Sequence, residues 1–111
     1  MIEFGIHVLD NHAGGSAEGM PWALSHLVEG GWVEVASGTT DARGRGVELA
    51  GVDLVPGRYR MRYDIAAYYR AKGVDGTFFP SAHSEFDLRD GERYHVPLLV
   101  TPFGHSTYRG D

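Results

Sequence analysis

Cysteine is missing from the chain. That absence excludes disulfides, thiolate metal sites and a cysteine nucleophile together, and it suits a reducing, cytoplasmic compartment. Positive charge is scarce as well: Lys and Arg number 10 against 15 Asp and Glu, a formal net charge of -5. The sign is wrong for a protein that tracks phosphates, so nucleic acid is not an expected partner. Long apolar runs are also lacking. The opening MIEFGIHVLD is interrupted by Glu3 and His7, and neither a secretory leader nor a membrane span is readable in it. No glycine loop of phosphate-cradling type occurs, and no Gly-x-Ser-x-Gly nucleophile motif. Six histidines are present, His7, His12, His26, His83, His95 and His105. None stands two or four residues from another, so a metal site has no local template and none is expected.

What remains is a short chain of ordinary globular make-up. Its 111 residues and 12.2 kDa predict a single domain spanning residues 1–111, with no room for a separate catalytic unit. Hydrophobic residues are 42% and charged residues 23%, while 16 Gly and 5 Pro punctuate short apolar segments, the spacing of many strands joined by turns. In FGIHVLD, Phe4, Ile6 and Val8 alternate with Gly5, His7 and Leu9, which puts His7 on the face away from Phe4. PWALSHLV and WVEVAS flank EGG as a hairpin. TTDARGRG is a turn in which Gly44 suits a positive φ. In RYRMRYDI, Tyr59, Met61, Tyr63 and Ile65 face a core while Arg58, Arg60, Arg62 and Asp64 face water. AAYYRAKG alone has helical character and stops at Gly73. SEFDL and YHVPLLVTPF resume the strands across Asp90-Gly91, a turn dipeptide. The pattern predicts an all-β protein: an antiparallel β-sandwich of about eight strands with one short helix.

The strand from Tyr94 to Val100 is apolar on both faces, with Val96, Leu98 and Val100 on one and Pro97 and Leu99 beside His95 on the other. Pro97 predicts an edge or bulged strand, because proline gives no hydrogen to a ladder. Such an apolar edge calls for cover by another copy of the chain, with His95 in or near the contact.

Three segments read better together than apart: HVLD at residues 7–10, TTDARGRG at 39–46 and YHVPLLVTPFGHSTYRGD at 94–111. In order and spacing they resemble the hallmarks of the 5-hydroxyisourate hydrolases, the transthyretin-like protein family of purine catabolism. GSAEGMPWAL and GTFFP extend the resemblance over the whole chain. It implies a transthyretin-like sandwich, a homotetramer of paired subunits, and active sites at the dimer–dimer interface. It further implies hydrolytic opening of 5-hydroxyisourate to 2-oxo-4-hydroxy-4-carboxy-5-ureidoimidazoline, with neither metal nor organic cofactor. Carried over motif by motif, the catalytic positions are His7 from HVLD, Arg45 from GR and His95 from YHVP. The substrate-binding positions are Tyr108, Arg109, Gly110 and Asp111 of the tail.

The residue types suit that chemistry. Hydrolysis of a strained, electron-poor cyclic amide needs a positioned water, a base with a pKa near neutrality, and a cation facing the developing oxyanion. His7 and His95 supply water activation and proton transfer, and Arg45 grips and polarises the urate-like carbonyls with its planar fork of donors. Three positions depart from the family pattern: Asp111 stands for the usual terminal serine, Arg43 for the Asp of Asp-Gly-Arg, and Ser16 for a proline. An aspartate in place of that serine is expected to add negative charge near Arg109. A carrier of small hydrophobic ligands, of vertebrate transthyretin type, would share the fold, since fold alone does not decide function. That carrier lacks the histidine and arginine set. A paralogue hydrolysing another cyclic amide is the third alternative.

Overall fold

A computed structural model of the chain describes residues 1–110. Period-two burial builds it. Strand β1 (Glu3–Asp10) buries Phe4, Ile6, Val8 and Asp10 and turns Gly5, His7 and Leu9 toward the other side. After the two-residue β2 (Gly15–Ser16), β3 (Pro21–Val28) and β4 (Gly31–Thr39) form the expected antiparallel hairpin, turned by Glu29 and Gly30 at φ 47 and 81. A short 3-10 helix, Val47–Gly51, leads into β5 (Gly57–Tyr63), whose Tyr59, Met61 and Tyr63 are buried. Asp64 ends that strand and caps helix α1 (Ile65–Ala71), its carboxylate accepting the Ala67 N–H at 3.1 Å. Strands β6 (Ala82–Leu88), β7 (Arg93–Thr101) and β8 (Gly104–Thr107) complete the described chain.

The strands make two four-stranded sheets, ordered β2-β1-β7-β8 and β4-β3-β5-β6. The inner faces share one core, in which Ile6, Val8 and Leu98 of the first sheet cluster with Leu24, Tyr59 and Met61 of the second. Each such side chain contributes about 1.5–3 kcal/mol on burial, and this burial fixes the register of every strand it touches. No helix among the described residues is long and apolar enough to cross a membrane.

The strand pairing settles three local points. First, β1 and β7 pair in parallel, from Glu3↔Arg93 to Asp10↔Val100, so the sandwich is mixed rather than wholly antiparallel. Second, Asp90-Gly91 joins strands of different sheets, β6 to β7. The turn chemistry is local and does not decide which sheet receives the next strand. Third, β7 is not an edge, because it lies between β1 and β8. Proline is tolerated there because its missing N–H would face β8, the side on which the His95 and Pro97 carbonyls take bonds from Gly110 and Thr107. The ladder to β1 therefore loses nothing.

Candidate active site

The site is built on the outer face of the β2-β1-β7-β8 sheet. Parallel register sets Gly5 opposite His95 and His7 opposite Pro97, which places the two imidazoles diagonally across adjacent strands on the same face. Their ring centroids are 6.3 Å apart with planes inclined at 40°. At this separation the two rings are near enough for one small group to meet both.

Arg45 reaches this pair through a tightly organised turn. Thr40 is buried; its hydroxyl donates to the Ala17 carbonyl at 2.6 Å and accepts the Met20 N–H at 2.8 Å. Asp41 then folds the next four residues around its own carboxylate, accepting the N–H groups of Arg43 and Arg45 at 2.9 Å each. This is the Asx-turn habit of aspartate. Gly44, at φ 76, presses the turn onto β1, where its carbonyl accepts the Val8 N–H at 2.8 Å. His7 and Arg45 consequently form an isolated antiparallel bridge. Arg43 and Arg45 are both exposed, and it is the backbone of Arg45 that bridges to His7.

The tail divides. Gly110 donates its N–H to the His95 carbonyl at 2.6 Å, which sets it against the imidazole pair. Arg109 is directed elsewhere: its guanidinium lies over the Tyr94 ring, 4.3 Å from the centroid, and donates to Glu92 at 3.2 Å. Tyr108 is exposed and borders, with Arg109, a cleft of about 490 Å³ beside strand β6. Asp111 lies outside the described residues. The structure thus gathers His7, Arg45, His95 and Gly110 and leaves Tyr108 and Arg109 outside that group.

Electrostatics follow from the geometry. His7 has its pKa lowered from the ordinary histidine value, first by burial and then by the positive charge of Arg45 and the neighbouring His95. A backbone hydrogen bond to Arg43 and the Asp41 carboxylate oppose the shift. The imidazole is therefore held neutral, able to accept a proton near neutral pH. Asp41 has its own pKa lowered, chiefly by the Arg45 N–H bond. It keeps a negative charge beneath the turn.

Two residues that the sequence reading passed over support the site. Asp41 is one, and a signal for it existed in the aspartate two residues ahead of Arg43. Asp10, the last residue of HVLD, is the other. It is 2% exposed and accepts the Tyr68 and Tyr69 hydroxyls at 2.8 and 2.7 Å and the His12 and Ala13 N–H groups at 2.9 and 3.0 Å. Burial raises its pKa, but these four donors outweigh burial and the net shift is downward. Asp10 ties the end of the strand that bears His7 to helix α1. Among the described residues, no group of three or more His, Asp or Glu side chains is placed to hold a metal ion.

Comparison with known proteins agrees with the fold and the segments. A sequence model of the HIUase/Transthyretin family matches residues 4–110. The 5-hydroxyisourate hydrolase of Salmonella dublin is 38% identical over 107 residues, covering 95% of this chain and 78% of that protein. Among solved structures, the 5-hydroxyisourate hydrolase of Klebsiella pneumoniae superposes with a TM-score of 0.85 at 32% identity, covering 100% of both chains. Sea bream transthyretin in complex with thyroxine gives a TM-score of 0.89 at 29% identity, covering 96% of this chain and 93% of that one. The transthyretin-like sandwich is the observed fold.

Proposed function

The chain belongs to the HIUase/Transthyretin family, and from that premise we propose that it is an enzyme hydrolysing 5-hydroxyisourate to 2-oxo-4-hydroxy-4-carboxy-5-ureidoimidazoline. In this proposal His7 and His95 activate a water between them. The oxygen adds to the ring carbonyl carbon, the C–N bond of the cyclic amide breaks, and the proton taken from water passes to the departing nitrogen. Arg45 holds the carbonyl oxygens and stabilises the negative charge that grows on them. The tail residues bound the substrate, Gly110 most closely. General-base help of this kind contributes about 10²- to 10⁴-fold, which suffices for a labile ring.

One relation carries the proposal: two imidazoles with centroids 6.3 Å apart, one of them bridged to Arg45. His7 is kept unprotonated by burial and by the Arg45 charge, and so is available to accept a proton. The relatives named 5-hydroxyisourate hydrolase supply the substrate, and the residue types supply the chemistry. A homotetramer is part of the proposal. Leu9 and Leu99 lie on the same outer face as the histidines, and a second copy seated there would exclude water from the site. A cytoplasmic address rests on the cysteine-free composition.

Carriage of a small hydrophobic ligand is the second function to weigh, favoured by likeness to a transthyretin whose structure holds thyroxine. Against it stand the polar side chains. Two imidazoles and a guanidinium buried under an apolar ligand would lose their water without gaining partners. Hydrolysis of a different cyclic amide is separated by substrate choice in the same assay.

The test generates the substrate in place. Uric acid is oxidised by uricase, and the decay of 5-hydroxyisourate absorbance is followed with and without the protein. Decay faster than the spontaneous rate is the expected result. An unchanged decay overturns the proposed activity.

A further inference from the structure

Pro97 removes a rung from the ladder that carries the tail past His95. Strand β8 pairs with β7 up to Leu98↔Thr107, and the next contact is the bridge His95↔Gly110. The intervals match on both sides, so the tail continues in one register. Opposite Tyr108 stands Pro97, which has no N–H to give. Chain ends are loose unless tied down, and beyond Thr107 the bond from the Gly110 N–H to the His95 carbonyl is the backbone tie.

Side chains add to it. The Thr107 hydroxyl donates to the Pro97 carbonyl at 2.7 Å. Arg109 donates from Nη2 to Glu92 Oε1 at 3.2 Å and to the Arg93 carbonyl at 3.1 Å, while its guanidinium stacks 4.3 Å from the centre of the Tyr94 ring. One planar fork thus makes three contacts on the segment just ahead of His95. Tyr94 is itself fixed, buried with its hydroxyl accepting the Arg89 N–H at 2.8 Å. Gly110 is then brought so near that a Cβ added to it would lie 2.8 Å from His95 Cδ2. The imidazole edge packs against the backbone of residue 110.

We propose that Glu92 and Tyr94 are positioning residues for the hydrolysis. By holding Arg109 they seat Gly110 against His95 and fix the angle at which that imidazole meets the site. Neither residue touches the reacting group; both act through Arg109. The kinetic part of this inference rests on the hydrolase function proposed above, and the structural part on the tail geometry alone.

Glu92→Ala, Glu92→Gln, Arg109→Ala and the Glu92→Ala/Arg109→Ala pair test it with two readouts. The Arg109–Glu92 pair is partly exposed, at 55% and 39%, so screening limits its strength and the expected effects are moderate. Glu92→Ala should lower kcat by roughly threefold to tenfold with KM within about twofold. Glu92→Gln, which keeps an acceptor oxygen for Arg109, should recover most of the loss. The double variant should be no worse than Arg109→Ala, as residues acting in series are not additive. Independently of activity, the Gly110 amide should exchange its hydrogen several-fold faster in Glu92→Ala than in the wild type, with Val8 and Leu98 unchanged. Unchanged Gly110 exchange, additive kinetic losses, or a failure of Glu92→Gln to recover the rate overturns the positioning role. An inactive wild type overturns the hydrolase function instead, and Gly110 exchange still decides whether Glu92 holds the tail.

Discussion

Gly44 backs directly onto His7: a methyl group added at residue 44 would come within 3.2 Å of His7 Cδ2 and would collide with the Val8 carbonyl oxygen. Its φ of 76 lies where residues with a side chain are strained. Gly44→Ala should therefore do two things at once. The left-handed backbone costs about 1–2 kcal/mol, which lowers the melting temperature by roughly 4–8 °C per kcal/mol in a domain near this size. The collision pushes the turn away from β1 and breaks the bridge between His7 and Arg45. Thermal melts and initial rates on the same preparation check it. A variant that melts lower yet keeps full activity would show that the close approach of the turn is not needed.

Burial lowers the His7 pKa most, and the Arg45 charge comes next. With its cation removed in Arg45→Gln, the second-largest cause of the lowered His7 pKa disappears, and the midpoint moves up toward about 6.5. The acidic limb of the kcat/KM profile should shift to higher pH, on top of a lower rate throughout. The sign for stability is the same. A histidine with a lowered folded pKa binds fewer protons folded than unfolded, so its contribution is complete above about 6.5 and is lost as pH falls toward the folded midpoint. Arg45→Gln should narrow that window. If the acidic limb stays where it was, His7 is not the base it reports.

His7→Ala and His95→Ala should each cut kcat by about 10²-fold or more, the low end of general-base contributions. In the proposed mechanism both rings, with centroids 6.3 Å apart, serve one water, so the double variant should lose far less than the product of the two single losses. Single-turnover rates on freshly generated substrate measure this. Multiplicative losses would mean that the imidazoles act on separate steps.

Local patterns in the sequence carried a good part of this structure. Alternation in RYRMRY names the buried face of β5, and AAYYRAKG with its stop at Gly73 locates α1. Partner choice was not legible. The parallel pairing of Glu3 with Arg93 joins segments from opposite ends of the chain, and nothing local to either segment encodes it. Asp90-Gly91 reads only as a turn, because turn chemistry is the same whether the next strand returns to its neighbour or crosses to the other sheet. His7, Arg45 and His95 were found through motif resemblance, and the fold explains their meeting by register and by the Asp41 turn. The placing of Arg109 could have been anticipated from the alternation itself. Successive residues of an extended tail point to opposite faces, so Gly110 and Arg109 do not both face His95.

The last residue of HVLD separates charge from shape. Three of the four donors to Asp10 converge on Oδ1, namely Tyr69, His12 and Ala13, and Tyr68 alone takes Oδ2. Asparagine can keep the first three acceptor bonds and offer its amide to the Tyr68 hydroxyl, which can turn to accept. Asp10→Asn should therefore cost only about 1–2 kcal/mol, whereas Asp10→Ala strands the two buried tyrosine hydroxyls and should cost about 3–5 kcal/mol. Acid unfolding distinguishes the charge. The lowered pKa of Asp10 contributes stability that is present above its unfolded value of about 3.9 and is lost as pH falls through the folded value. The wild type should lose stability over that acid range more steeply than Asp10→Asn, so the two curves converge at low pH. Parallel curves would mean that the carboxylate holds α1 by geometry alone, with the charge itself contributing nothing to the seat of the strand that carries His7.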